Sequence, residues 1–378
     1  MAPALQRLGH DVTVYSPDAG ETEALARERG IRVVTSERDL PDTCDAVLVQ
    51  DTVLALELRE RYDVPHVFVS HGAELDLAAP PQLDGAVAAA VAMNDRVAKR
   101  LTALAVDIHV VRLRQPIDIE VFCPRGPPRE RPEQVLLLGN YLTSRRRDAL
   151  VAVCSELGLR AAQVGVGGEV LANPTEAIAR ADIVVGYGRS VLEAMACGRA
   201  AYVLDYLGGD GWVTADSYDA LERDGFTGTT TDRRDPAAAL RRDLLAYDAS
   251  MGDVNRTLIY SHHTAFEHAR QLGELFKSLV GTSVERFTAG RELARLVRSQ
   301  WHADWRASQL WHELDEQGAA LRAQERRAAE AEQRAALAER RFEQLVATRR
   351  WRLVTRLLRP LDRARIALRR SRSSRSRS

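Results

Sequence analysis

Apolar and polar positions along the first 280 residues switch repeatedly between a two-residue and a helical period. Asp11–Tyr15 (DVTVY) alternates like a strand, and Ala46–Gln50 (AVLVQ) and His66–Ser70 (HVFVS) are apolar enough to be buried strands. Between them, Leu5–Leu8 reads as a helix ending at Gly9, and Val53–Tyr62 has helical spacing. Gly85–Met93 reads as a long strand of small residues, followed by a helix that Asn94 would cap. Strands alternating with helices predict a parallel, doubly wound α/β sheet. The chain opens inside what would be the first helix. The pattern therefore predicts a Rossmann-like unit without its first strand and Gly-rich loop.

Gln115–Pro132 is rich in Pro and charge, which predicts a hinge between two α/β patterns. Strands are expected at Val135–Gly139, Ala161–Val166, Ile183–Val185 and Ala200–Leu204. Helices are expected at Arg146–Leu157, Pro174–Arg180, Ser190–Ala196, Ser217–Asp224 and Pro236–Asp248. Asn255–Val280 reads as one long closing helix. From Leu310 to Leu345, positions stepping by alternate threes and fours form a heptad seam of Leu, Ala and Gln. Trp351, Val354, Leu358 and Leu361 then share one face of an Arg-studded helix before an Arg/Ser tail.

The predicted organisation is an N-terminal Rossmann-like acceptor unit over 1–114, a hinge over 115–132 and a second Rossmann-like unit with its closing helix over 133–282. A helical coiled-coil extension over 283–348 and a basic segment over 349–378 follow.

The formal net charge of zero is a cancellation. Residues 349–378 hold twelve Arg against one acid, Asp362, so the rest of the chain is correspondingly acidic. Nucleic-acid binding by the body is thereby disfavoured. The basic segment would suit an anionic membrane surface, with non-specific nucleic-acid binding as the competing reading. The 310–345 seam is either a solvated single helix or a coiled coil that makes a homo-oligomer. Cys44, Cys123, Cys154 and Cys197 are scattered, with no spacing suited to a metal. No apolar run reaches the ~18–20 residues of a membrane span. A cytoplasmic protein, peripheral at most on the inner face of the plasma membrane, is the expectation.

The chemically informative stretch is Ala181–Gly211. It contains an apolar strand, the turn Gly186-Tyr187-Gly188-Arg189, a helix from Ser190 and a second apolar strand. Two readings of its helix start compete. In the structural one, Ser190 and Glu193 form a capping box. In the functional one, the turn lets backbone N–H groups approach a diphosphate, and Glu193 accepts hydrogen bonds from ribose hydroxyls.

Ser190–Ala200 (SVLEAMACGRA) resembles the donor-site signature of retaining glycosyltransferases of the GT-B fold, LEAMACG-x-P-V-V after a Gly-rich turn. Gln115-Pro116-Ile117-Asp118 with Phe122 and Pro124 resembles that family's interdomain segment, and Leu8–Val14 (LGHDVTV) resembles its GHEVTV strand. The resemblance spans roughly residues 5–280. It implies two Rossmann-like domains that move a sugar from a UDP- or GDP-linked donor to a saccharide or lipid-linked acceptor. The setting implied is surface polysaccharide or glycolipid synthesis, by a hexosyltransferase-type enzyme without a bound metal or permanent cofactor.

Residue by residue, the resemblance implies that Glu193 holds the ribose. Gly186, Tyr187, Gly188, Arg189 and Ser190 would meet the diphosphate and sugar, and Gly139 with Arg145 or Arg146 would assist. His71, at the end of HVFVS, would face the transferred sugar; read alone it is a surface or capping histidine. The family's second Glu, eight positions before the first, is Val185 here. That departure supports the alternative: a non-catalytic, glycosyltransferase-like scaffold acting through its coiled coil and basic tail.

Overall fold

The computed structural model describes residues 1–18, 20–72, 78–104, 107–140, 144–166, 168–171, 173–204, 208–231, 236–281 and 290–347. The chain divides into a unit over 1–298 and a second over 299–378.

In the first unit, helix α1 (Ala2–Arg7) leads into β1 (Thr13–Tyr15), α2 (Glu21–Glu28) and β2 (Arg32–Val34). β1 and β2 pair in parallel with each other and, among the described residues, with no other strand. Next come β3 (Val47–Val49), α3 (Thr52–Arg61), β4 (His66–Ser70), β5 (Ala89–Ala92), α4 (Asp95–Thr102) and β6 (His109–Arg112). Strands β3 to β6 form a parallel four-stranded sheet in chain order. Caps fix where its helices begin. Asp51 Oδ1 accepts from Leu54 N at 2.9 Å, and Asn94 Oδ1 accepts from Val97 N at 2.8 Å, the cap expected for Asn94. The strand expected over Gly85–Met93 is shorter, because Gly85 adopts a positive φ of 73° in the turn that precedes β5.

After the Pro-rich segment come β7 (Gln134–Leu138), α5 (Ser144–Glu156), β8 (Arg160–Val164), α6 (Thr175–Arg180) and β9 (Ile183–Gly186). Helix α7 (Arg189–Ala196), β10 (Ala200–Leu204), β11 (Gly209–Trp212), α8 (Tyr218–Asp224) and α9 (Pro236–Leu245) follow. The sheet order is β11-β10-β9-β7-β8, parallel except for β11. Side chains alternate between two apolar layers, as a sheet covered on both faces requires. Leu136, Leu138, Val184, Ala201 and Val203 pack with α7 and α8 residues, including Leu192, Met195 and Leu221. Val135, Leu137, Ile183, Val185, Tyr202 and Leu204 pack with Leu150 and Cys154 of α5 and Leu240 and Leu244 of α9.

The closing helix corrects the sequence reading. Asn255–Val280 is two helices, α10 (Met251–His262) and α11 (Ala265–Leu279), broken at His263 and Thr264. The break is imposed by the hinge. Ile117 N donates to His263 O at 2.7 Å, and Ala265 N donates to Ile117 O at 2.9 Å. Thr264 is extended and its hydroxyl caps Glu267 N at 3.3 Å, starting a new helix. Helix α11 then crosses back, so that Leu272 and Leu275 pack with Val67, Val69 and Val91 of the four-stranded sheet. Leu272 is fully buried. Its replacement by Ala is expected to cost about 3 kcal/mol. Hydrogen exchange should register the loss first in β4 and β5; protection unchanged there would contradict the placement.

The hinge is further tied by charge. Asp118 accepts from Arg29 at 2.7 Å, and Arg7 pairs with Glu120. Burial alone would raise the Asp118 carboxyl, but Arg29 and the N–H groups of Glu120 and Val121 hold it below its ordinary value.

The last helix, α12 (Gly290–Ala347), begins well before the expected seam. Within 299–347, Trp301 and Trp305 stack at 6.3 Å between ring centroids. Many seam side chains between 310 and 345, and the whole predicted Trp351 helix and tail, lie outside the described residues. Among the described residues no helix is long and apolar enough to cross a membrane.

Candidate functional site

The carboxyl edge of the five-stranded sheet gathers most of the predicted site. Strands β7 and β9 end side by side, with Leu138 opposite Gly186. A Cβ on Gly186 would lie 2.7 Å from Leu138 O and 3.0 Å from Ser190 Cβ, so only glycine lets the two strand ends and the helix start close up. Gly188 has φ +54° and ψ −125°, and is the N-cap residue of α7. No side chain caps this helix. Ser190 N donates back to Tyr187 O at 3.2 Å, and at this end of the helix the dipole favours an anion. The Tyr187 ring lies against Gly139, just beyond β7, which places Gly139, Tyr187 and Ser190 together.

Gly186→Ala is expected to cost about 2 kcal/mol, since the clash is with backbone rather than with a flexible side-chain tip. A thermal melt checks it; an unchanged melt would mean that the strand ends can separate freely.

The capping box between Ser190 and Glu193 is not formed. The helix starts at Arg189, and Glu193 pairs with Arg189 instead, Nε to Oε1 at 2.7 Å across one turn. The Glu193 side chain is 11% exposed and that of Arg189 is 51% exposed. Burial raises the Glu193 carboxyl above its ordinary value, and the Arg189 charge partly offsets this. The carboxylate thus sits at the protein's inner edge with a cation lying over it.

His71 follows β4 directly, at the carboxyl end of the other sheet. His71 is exposed to solvent. Desolvation by the protein around it, followed by the Arg189 charge, lowers its pKa. Arg189 also acts electrostatically on the Met1 amino group. Arg146 is half-buried near the start of α5, and the Arg145 side chain lies outside the described residues. Arg147 is engaged elsewhere, donating to Gln163 Oε1 at 2.6 Å.

Val185 is fully buried in the α5/α9 layer, facing away from the turn. A carboxylate at that position would enter an apolar core.

Sequence reasoning missed the loop after α8. Phe226 is buried with φ +57°, a rare conformation for an aromatic residue, and its carbonyl accepts from Gly188 N at 2.9 Å. The same loop and α8 meet the first sheet's side. Arg96 Nη1 donates to Thr227 Oγ1 at 2.9 Å, and Arg112 pairs with buried Glu222 at 2.6 Å. The glycines flanking it, Gly225 and Gly228, were the one available signal.

No protein-family model matches the chain, and no curated protein matches it in sequence. Solved structures do. Anabaena Alr3699/HepE in complex with UDP-glucose matches over 73% of this chain and 94% of its own, with 13% identity and a TM-score of 0.51. The same protein in complex with UDP and glucose matches over 73% and 95%, with 12% identity and a TM-score of 0.50. At this identity the likeness is one of fold. The chain has an α/β fold of two Rossmann-like halves, the GT-B arrangement that its sequence resembles.

Proposed function

We propose that this chain is a glycosyltransferase that takes a nucleotide-diphosphate sugar, UDP- or GDP-linked, as donor. The observation that carries the reading is the side-chain-uncapped start of α7, closed up against β7 by Gly186 and followed one turn later by buried Glu193. Such a helix start offers N–H groups to a diphosphate, and a buried carboxylate one turn on offers acceptors to ribose hydroxyls. The UDP and UDP-glucose held by the HepE structures of like fold agree with it.

In this reading the turn Gly186–Ser190 with Gly139 meets the diphosphate and sugar, and Arg145 or Arg146 lies close enough in sequence to add charge. His71, across the gap between the sheets, faces the sugar. The leaving diphosphate gains negative charge in the transition state, and fixed N–H groups stabilise it without reorganising. Transfer with retention, to a saccharide or lipid-linked acceptor in surface polysaccharide or glycolipid synthesis, is the fuller form of the proposal. The basic segment would hold the enzyme at an anionic membrane and the 310–345 seam would pair copies; flotation with anionic vesicles and light scattering of the full chain test these.

Calorimetric titration of the full chain with UDP and GDP tests the core of it. Binding of one of the two at micromolar affinity, weakened at least tenfold by Glu193→Ala, is expected. Silence with both nucleotides would overturn the enzyme reading. The buried Val185 and the Glu193 carboxylate already neutralised by Arg189 favour the second reading, a non-catalytic scaffold, in that event.

A further inference from the structure

The Arg189–Glu193 pair is lopsided: the anion is almost wholly buried and the cation is half in solvent. Removing a guanidinium from such a pair costs the cation little, because water takes over its donors. The carboxylate has no such refuge, and stranding it unpaired would be costly. Whatever displaces Arg189 must therefore bring hydrogen-bond donors to Glu193. The doubly esterified diphosphate of a nucleotide sugar is fully ionised at neutral pH, has only acceptors and fails this test; a vicinal diol passes it.

The displaced guanidinium has a defined place to go. Arg189 is the first residue of α7, one turn nearer the sheet edge than Glu193 and beside the uncapped N–H groups. An anion there would meet both the helix start and a bidentate donor. The Met1 amino group and His71 both lie within electrostatic reach of Arg189.

We propose that Arg189 is a place-keeper that yields Glu193 to the donor's ribose diol and takes up the diphosphate in exchange. This rests on the nucleotide-sugar reading above and adds to it a coupling between the two ends of the nucleotide. The ribose frees the cation that the diphosphate needs, so each end improves the site for the other. Neither a nucleoside nor pyrophosphate alone makes the full exchange. No covalent change is involved; one ion pair opens and two sets of hydrogen bonds form.

The coupling has a signature that a purely structural ion pair lacks. Replacing Glu193 by Gln removes the competitor for Arg189, so the diphosphate half of the site should improve while the ribose half is spoiled. Calorimetry with inorganic pyrophosphate, without metal, and with UDP, compares the wild type with Glu193→Gln and Arg189→Gln. Glu193→Gln is expected to bind pyrophosphate about threefold to tenfold more tightly than the wild type, and UDP more weakly. Arg189→Gln is expected to weaken pyrophosphate binding roughly tenfold or more.

Pyrophosphate bound no more tightly by Glu193→Gln than by the wild type overturns the exchange. If UDP still binds the wild type in that case, the nucleotide-sugar reading stands without it. Conversely, tighter pyrophosphate binding by Glu193→Gln with neither UDP nor GDP bound by the wild type keeps the release of Arg189 and removes both the ribose partner and the donor reading. Should Glu193→Gln not fold, nitrogen NMR of the wild type decides. The Arg189 Nε–H resonance is expected to move on adding UDP, and one that stays put while UDP binds overturns the exchange.

Discussion

Acidification from about pH 7 to about pH 4.5 is expected to strip this protein of most of its stability, through three buried histidines. His66, His263 and His268 are each no more than 4% exposed, and burial lowers all three from 6.5 to about 4. Carbonyl acceptors, of Val64 for His66, Gln115 for His263 and Arg114 for His268, oppose the effect of burial, and nearby positive or ionisable groups add to it. Arg59 acts on His66; Arg114, His262 and Arg112 act on His263; the chain's amino terminus and His71 act on His268. His263 Nδ1 meets the Gln115 carbonyl at 2.8 Å and must donate to it, leaving Nε2 to accept from the Tyr218 hydroxyl at 2.8 Å. A second proton on that ring would make Nε2 a donor, require the Tyr218 hydroxyl to turn and accept, and place an uncompensated charge in a buried site.

The unfolded chain takes up these protons near pH 6.5, whereas the fold resists until about 4. Stability is therefore full above the unfolded value and drains away as pH falls towards the folded one. Each ring contributes a slope approaching about 1.4 kcal/mol per pH unit, and the three together approach about 4. Urea unfolding between about pH 8 and pH 4.5 measures the slope directly, and His263→Gln should reduce it by about a third. Stability that stays level across this range would mean that the rings find solvent in the fold.

The second large effect concerns a carboxylate whose pH window lies below that of the histidines. Asp182 is 1% exposed and gathers four donors: the N–H groups of Arg129, Glu133 and Gln134, and the Arg129 guanidinium, all within 2.8–3.1 Å. Burial alone would raise its pKa, but these donors hold it below the ordinary carboxylate value. It thereby pins the end of the Pro-rich segment to the start of β7. Asp182→Ala leaves those donors facing a void and is expected to cost about 4 kcal/mol. The carboxylate's contribution is complete above about pH 4 and is lost as pH falls through its lowered folded value. Asp182→Ala should thus shift the whole urea curve without altering the histidine slope. A shift below about 1 kcal/mol would mean that water satisfies these donors.

How much of this was legible beforehand depended on whether the determining contacts were local. The helix cap at Asn94, the two-faced apolar strands β7, β9 and β10, and the turn before Glu193 follow from residues within a few positions of one another. Arg189 and Glu193 are also neighbours on a helix face, yet Ser190 offered an equally good local alternative. The choice between them was made by how deeply the carboxylate is buried. The break at His263 had one local signal, the Thr264-x-x-Glu267 capping pattern, but neither Pro nor Gly marks it and apolar spacing continues through it. Ile117, distant in sequence, supplies the hydrogen bonds that open the helix there. Strand β11, with two glycines in four residues, exists because β10 provides an edge to pair with. Phe226 is held in its left-handed conformation by a turn whose partner, Gly188, lies on a different element.

Helix α11 returning to the first sheet also bears on the order in which the chain can fold as it is made. Strands β4 to β6 are complete once residue 112 is synthesised, but Leu272 and Leu275 complete the apolar layer beneath them only after about 160 further residues. At about 5–20 residues per second, the first half waits roughly 10–30 s on the ribosome with Val67, Val69 and Val91 uncovered. The second half meets no such delay, because its sheet is closed by α5, α7 and α9 from its own stretch of sequence. Though made second, it is the half positioned to fold first, and the earlier half then closes onto it.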